Sequence, residues 1–238
     1  MAALRSTFYT LLQIIITPLY TLIVLASFPL TPLNRNRITS GWAHIMLYLI
    51  RVICGVHYRV LGIENIPKTP SIVLSKHQSA WETLAFQQIF PAQVWVLKKE
   101  LLHIPFFGWG LAMTSPIAIN RSSGRAALKQ IVQQGKDRLK QGLWIVIFPE
   151  GARIVPGKKG KYGIGGAWLA THTGVSVVPV AHNAGELWGK NSFIKRPGTI
   201  TVSIGAPIDP AGMKASELNA KVEEWIELEV VRIGDKDI

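Results

Sequence analysis

From Phe8 to Leu30 the chain carries no charged residue. At about 1.5 Å per helical residue, such a run can cross a hydrocarbon core of about 30 Å. Gln13, Pro18 and several threonines interrupt it, and a second apolar stretch, Trp42 to Val56, is broken by Arg51. No small-residue cleavage site follows Ala26, which speaks against a secretory leader. The expected arrangement is a two-helix membrane anchor over residues 1–56, its helices joined by a basic turn at Asn34–Arg37. Arg51 argues that the second helix enters the lipid only shallowly.

Beyond Gly55 the pattern changes to short β-branched runs separated by helical periods. Strands are expected at His57–Leu61, Ser71–Leu74, Gln93–Leu97, Pro116–Asn120, Leu143–Phe148, Val175–Val180 and Thr199–Ile204. Helices are expected at Trp81–Phe90, Gly124–Lys140, Gly165–Thr171 and Ser216–Arg232. That alternation predicts an α/β domain over residues 57–238, with a mixed sheet of about seven strands covered by helices. The segment LWIVIF, Leu143–Phe148, has no polar residue, as a strand buried on both faces requires. Ligands in such sheets gather beyond the carboxyl ends of the strands. His77, Arg121 and Glu150 all fall just past an expected strand.

Charge narrows the partners. The 238 residues carry a formal net charge of +12, and half of the acidic residues lie in the last 26. A basic body calls for an anionic partner: nucleic acid, an acidic protein, a phosphorylated metabolite or an anionic membrane face. No nucleic-acid-binding motif accompanies the charge, and the apolar N-terminus argues against that class. The single cysteine, Cys54, excludes an internal disulfide, and its apolar neighbours mark a buried structural thiol.

Three short segments carry candidate chemistry. In KHQSAWE, residues 76–82, His77 and Glu82 stand five positions apart, a spacing that does not meet on one helix face. If Ser79 caps a helix starting near Ala80, the chain turns between the two side chains and they can face each other. A carboxylate on one ring nitrogen would fix the tautomer and free the other nitrogen to take a proton. The segment alone fits equally a surface histidine beside a glutamate favoured by the helix dipole. In FPEGAR, Phe148–Arg153, a turn at Pro149–Gly151 places Glu150 and Arg153 at the mouth of the LWIVIF strand, and a guanidinium there suits forked binding of phosphate. In KKELLHIPFFGWG, Lys98–Gly110, apolar bulk followed by cations suits an amphiphile with an acidic head, although a core helix with a basic flank reads the same way. No GxSxG elbow is present, GKKGKYGIGG lacks the ending of a P-loop, and the six histidines show no metal-ligand spacing.

HQSAWE, KKELLHIPFFGWG with the following INR, FPEGAR and VVPVAHN occur in the order found in the glycerolipid acyltransferases. From about Gly41 to Ile208 the sequence resembles the bacterial 1-acyl-glycerol-3-phosphate acyltransferases (lysophosphatidic acid acyltransferases). The resemblance implies that His77 is the general base, with Glu82 in place of the commoner aspartate. It implies that Lys98, Arg121, Glu150, Gly151 and Arg153 bind substrate, the two arginines cradling the acceptor's phosphate. Ala152 replaces the usual threonine, and Pro179 matches the block that shapes the acyl-donor side. The implied reaction moves an acyl chain from acyl-CoA or acyl-acyl carrier protein to a lysophospholipid hydroxyl, giving phosphatidic acid, with no metal or other cofactor. The implied location is the bacterial inner membrane, with the catalytic domain facing the cytoplasm.

Overall fold

The computed structural model describes residues 1–120 and 123–234. Seven strands form one sheet: β1 (Val56–Leu61), β2 (Ile72–Ser75), β3 (Gln93–Lys98), β4 (Ile117–Ile119), β5 (Trp144–Ile147), β6 (Val177–His182) and β7 (Gly198–Ile204). Their order across the sheet is β1-β7-β6-β2-β5-β3-β4. Neighbours pair in parallel except β6 with β7, so β1 and β7 run against the other five. The mixed seven-stranded sheet expected from the pattern is therefore present. The five co-directional strands deliver their carboxyl ends, and the residues just beyond them, to one edge.

The LWIVIF strand shows how the sheet builds its two cores. Successive side chains point to opposite faces. Trp144 and Val146 join Trp81, Phe86 and Trp95 on one face, while Ile145 and Ile147 join Ile131, Leu169 and Val222 on the other. The second face is covered by α5 (Arg125–Lys140), α6 (Gly165–Thr173) and α8 (Ala215–Gly234). In α8, Leu218, Val222 and Ile226 recur every four residues and are fully buried, so the acidic tail segment is an amphipathic layer of the fold. The first face is covered by α2 (Pro32–Cys54) and α3 (Trp81–Ile89), with α1 (Ala2–Ala26) and α4 (Phe107–Met113) beside them.

The N-terminal helices differ from expectation in two ways. Asn34–Arg37 is not a turn but lies within the first turns of α2. That helix starts at Pro32, behind Thr31, whose side chain accepts from the Asn34 N–H at 3.4 Å. Its inward stripe (Ala43, Met46, Leu47, Ile50, Cys54) belongs to the main core, so packing does not divide at residue 56. Gly55 (φ 70°) ends the helix in the left-handed conformation and turns the chain into β1.

Among the described residues, α1 alone is long and apolar enough to cross a membrane, with mean hydropathy 1.9. Its hydroxyls at Thr7, Thr10, Thr17 and Thr21 bond to the carbonyls four residues back, which hides polar atoms on an otherwise apolar helix. Leu4, Phe8, Leu11, Ile14, Ile15, Leu19, Leu22 and Ile23 are each more than half exposed. Beside them, Leu101, Ile104, Phe106, Phe107 and Trp109 are 39–46% exposed, so these aromatics are only partly core.

Candidate active site

β2 ends at Ser75 and the chain runs irregularly through residues 76–80 before α3 begins at Trp81. The helix cap is Ala80, not Ser79. Ser79 acts one residue earlier, its Oγ accepting from the Trp81 N–H at 3.1 Å. The turn nevertheless does what the i+5 spacing needs. Glu82 reaches back so that its Oε1 lies 2.8 Å from His77 Nδ1, and it also accepts from the N–H groups of Gln78 (3.0 Å) and Ser79 (2.9 Å).

Glu82 is fully buried, and that burial alone raises the pKa of its carboxyl. The nearby His182, the hydrogen bond and charge of His77, and the Ser79 N–H outweigh it and hold the group below its ordinary value. Glu82 is therefore a carboxylate at neutral pH, and His77 donates its Nδ1–H to it. The His77 side chain is 15% exposed, and its ring stacks on Phe148 with centroids 3.9 Å apart and planes inclined by 10°. Held from the side and from behind, the ring keeps Nε2 as its open basic atom.

The second segment grips the backbone of the first. FPEGAR turns after β5 through Gly151 (φ 68°), a conformation suited to glycine. Glu150 Oε2 accepts the His77 N–H at 2.9 Å, and the Ile154 N–H donates to the His77 carbonyl at 2.7 Å. Glu150 Oε1 meets Lys76 Nζ at 2.8 Å, and both side chains are almost wholly buried. Lys76 Nζ also bonds Glu227 Oε1 of α8 at 2.7 Å, and that oxygen accepts from the Tyr162 hydroxyl at 2.7 Å. The structure thus places Glu150 behind His77 as a brace, not at the mouth of the turn. Adjacency to an apolar strand sets its place along the chain but not its direction.

In front of His77 opens a cavity of about 390 Å³. His77, Phe148, Gly151 and Arg153 line one end, with Lys98 at the carboxyl end of β3. The remainder runs between α1, α2, α3 and α4 past Thr17, Trp42, Leu84, Trp95 and Leu111. Arg153 is half-buried and has no acidic or hydrogen-bonding partner among the described residues. A basic atom, a free guanidinium and a lysine thus share one wall, with a long, mostly apolar enclosure beside them. Arg121 lies outside the described residues. Among those described, no three His, Cys, Asp or Glu side chains group as a metal site.

Of the residues expected at the site, the structure brings His77 and Glu82 into contact and puts Lys98, Gly151 and Arg153 on the cavity wall, while His182, Lys76 and the wall contributed by α1 were not expected there. The VVPVAHN segment held the signal for the first, since a histidine closing an apolar strand is destined for burial.

The family model described as acyltransferase matches residues 57–183. A 1-acyl-sn-glycerol-3-phosphate acyltransferase of Pseudomonas aeruginosa is 47% identical over 192 residues, covering 79% of this chain and 75% of that protein. A 1-acyl-sn-glycerol-3-phosphate acyltransferase of Saccharomyces cerevisiae is 27% identical, covering 89% of this chain and 72% of that protein. The crystal structure of the 1-acyl-sn-glycerophosphate (LPA) acyltransferase from Thermotoga maritima superposes with a TM-score of 0.80, over 98% of this chain and 96% of that one, at 24% identity. That likeness shows the fold.

Proposed function

The chain belongs to the acyltransferase family, among the bacterial 1-acyl-sn-glycerol-3-phosphate acyltransferases, and from that premise we propose how its site works. The substrates are 1-acyl-glycerol-3-phosphate and an acyl thioester, carried on coenzyme A or acyl carrier protein, and the product is phosphatidic acid. The observation that carries this reading is the His77–Glu82 pair, whose open Nε2 faces a cavity lined at that end by Arg153.

The acceptor's free hydroxyl gives its proton to His77 Nε2 as its oxygen attacks the thioester carbonyl. The new C–O bond forms and the C–S bond breaks. The proton then passes from His77 to the departing thiolate. Glu82, ionised and fixed by two backbone N–H groups, stabilises the imidazolium in between. The thioester is already an activated acyl group, so the chain's task is to position two amphiphiles and supply one base, the base contributing roughly 10²–10⁴-fold. Arg153, with Lys98 and Arg121, holds the acceptor phosphate, and the apolar enclosure takes an acyl chain. On this reading the site works at the surface of a bacterial inner membrane, on its cytoplasmic side; the exposed apolar face of α1 supports the membrane contact.

The test incubates membrane-reconstituted protein with acyl thioesters and a panel of lysolipids, and identifies the products. Phosphatidic acid from 1-acyl-glycerol-3-phosphate, at a rate well above that with choline, ethanolamine or aminolipid acceptors, is the expected result. A preference for one of those acceptors would overturn the assignment. His77→Ala abolishes transfer in a folded protein, and Glu82→Gln reduces it by less, because His77 remains but loses its charged partner. Turnover of His77→Ala within tenfold of the parent would remove the base assignment.

A further inference from the structure

Behind the dyad, on the side away from the cavity, stands a second histidine that the chemistry above does not use. His182 ends β6, is fully buried, and meets the Phe86 ring edge-on with centroids 6.2 Å apart. Its Nε2 lies 2.9 Å from the Lys76 carbonyl oxygen, and its Nδ1 lies 3.3 Å from the Ala184 backbone N–H. One ring nitrogen faces an acceptor and the other a donor. That pairing selects one neutral tautomer, with the proton on Nε2. Burial pushes the same way, lowering the ring's pKa, against the opposing charge of Glu82 and the bond to Lys76; the charges of His77 and Lys76 add to the lowering.

The atom that His182 holds matters more than its burial. The Lys76 carbonyl and the His77 N–H belong to one peptide group. His182 donates to its oxygen, together with the Ser75 hydroxyl at 2.9 Å, while Glu150 accepts from its nitrogen. His182 Nε2 is also 3.9 Å from Glu82 Oε1, the oxygen that receives His77 Nδ1. One ring therefore holds the peptide that carries His77 and stands beside the carboxylate that orients it. A space-filling role would be met better by an apolar side chain, because burying an imidazole costs free energy unless its hydrogen bonds are useful.

We propose that His182 is a positioning residue of the acyltransfer site, fixing the Lys76–His77 peptide beside the Glu82 carboxylate so that His77 keeps its proton on Nδ1 and its Nε2 bare. The inference rests on the proposed reaction for its kinetics, but its structural half can be read without any substrate.

Two variants separate position from bulk. His182→Gln keeps an N–H donor near the place of Nε2, whereas His182→Leu fills the space with no donor. With 1-acyl-glycerol-3-phosphate and an acyl thioester each varied, His182→Leu should lose about 10- to 100-fold in kcat, with both KM values within about threefold. His182→Gln should recover to within about fivefold of the parent. In parallel, ¹⁵N-imidazole spectra of the substrate-free protein, with His77→Gln to assign the signal, report the His77 tautomer. The parent and His182→Gln should show protonated Nδ1 and bare Nε2, and His182→Leu a mixture.

Parental kcat and a parental His77 spectrum in His182→Leu would overturn the proposal. So would equal losses in both variants with raised KM values, which mark a packing role. If His182→Leu does not fold, a folded His182→Gln that has lost the Nδ1–H tautomer overturns it equally, and one that keeps the tautomer supports it. Should the parent acylate a different acceptor, the proposed reaction fails while the tautomer spectra still decide the role of His182.

Discussion

The base of this site is fixed through its own main chain as much as through its side chain. Both the N–H and the C=O of His77 are taken by FPEGARI, at 2.9 and 2.7 Å, before Glu82 and Phe148 orient the ring. The side-chain half stood in the sequence as one of two equal readings, because a helix start between positions 77 and 82 lets an i+5 pair meet where a continuous helix does not. The main-chain half was not legible, since no spacing rule tells that Glu150 turns back toward another strand's loop. Arg153 was singled out by its place just past a buried strand, where Glu150 of the same segment offered it an ion pair; the structure sends Glu150 to Lys76 instead and leaves Arg153 unpaired among the described residues. Arg153→Ala should therefore raise the KM for the phosphate-bearing acceptor far more than for the acyl donor. Charged hydrogen bonds are worth about 1.5–3 kcal/mol, so the loss of one implies roughly ten- to hundred-fold weaker acceptor use. Arg153→Lys should recover it only in part, restoring charge without the fork. Steady-state kinetics with each substrate varied decide it, and a lowered melting temperature with an unchanged acceptor KM would instead make Arg153 a loop brace. Two buried titratable groups also give the fold an acid limit. His182 has a folded pKa below its ordinary 6.5, so the unfolded chain binds the extra proton, and stability falls as pH drops below about 6.5 toward the folded value. Glu82 has a folded pKa below its ordinary 4.5, so its contribution is present above that pH and is lost below it. Denaturant melts from pH 8 down to about pH 2 should show both windows, and His182→Gln should flatten the upper one.

At the scale of elements, strands were easier to read than the helices that brace them. An unbroken apolar run such as LWIVIF names a two-sided strand, and the structure gives it neighbours on both sides, β2 and β3. The start of α2 was misplaced because the basic Asn34–Arg37 run drew the turn to itself. Thr31–Pro32, an N-cap followed by proline at the first helical position, was the stronger signal. α4 stayed unread because it is seven residues long and holds two glycines. The acidic C-terminal segment was expected as a covering helix, but not as a brace of the site: α8 packs on the sheet and sends Glu227 to Lys76 and Tyr162. The two carboxylates on Lys76 should therefore separate in their effects. Glu227→Ala leaves Lys76 with Glu150 and costs the Tyr162 hydroxyl its acceptor. It should lower stability by about 1–3 kcal/mol with kcat little changed. Glu150→Ala removes a fully buried partner of Lys76 and the acceptor of the His77 N–H, and should cost about 3–5 kcal/mol together with most of kcat. Urea melts alongside kcat check this. A large kcat loss in Glu227→Ala without destabilisation would show that α8 acts on the chemistry directly.

At the scale of the molecule as a whole, α1 joins the open apolar surface to the cavity. Its outer side is the exposed leucine, isoleucine and phenylalanine face, and its inner side, Gln13, Thr17, Tyr20, Thr21 and Val24, walls the cavity. Near its start Tyr9 is fully buried, and Lys195 sits among the rings of Tyr9, Trp188 and Phe193 at 4.9–5.2 Å, its N–H bonded to the Ser6 hydroxyl. A helix so tied is part of the folded body as well as the candidate membrane helix, and the uncharged run Phe8–Leu30 pointed only to the second. Deleting residues 1–38 should then do two things at once: release much of the protein from membranes, and open the cavity wall so that transfer fails even with detergent-dispersed substrates. A milder change separates them. Leu11 and Ile15 lie on the outer face and do not line the cavity. Leu11→Glu with Ile15→Glu should weaken vesicle binding strongly, since each large apolar side chain withdrawn from lipid forfeits about 1.5–3 kcal/mol. The loss should be greatest on anionic vesicles, where the new carboxylates are also repelled. The same double variant should keep parental turnover of detergent-dispersed substrates. Flotation with neutral and anionic vesicles, beside a detergent assay, gives the answer. A truncated chain that still floats fully and turns over at the parental rate would show that both the lipid contact and the cavity are built elsewhere.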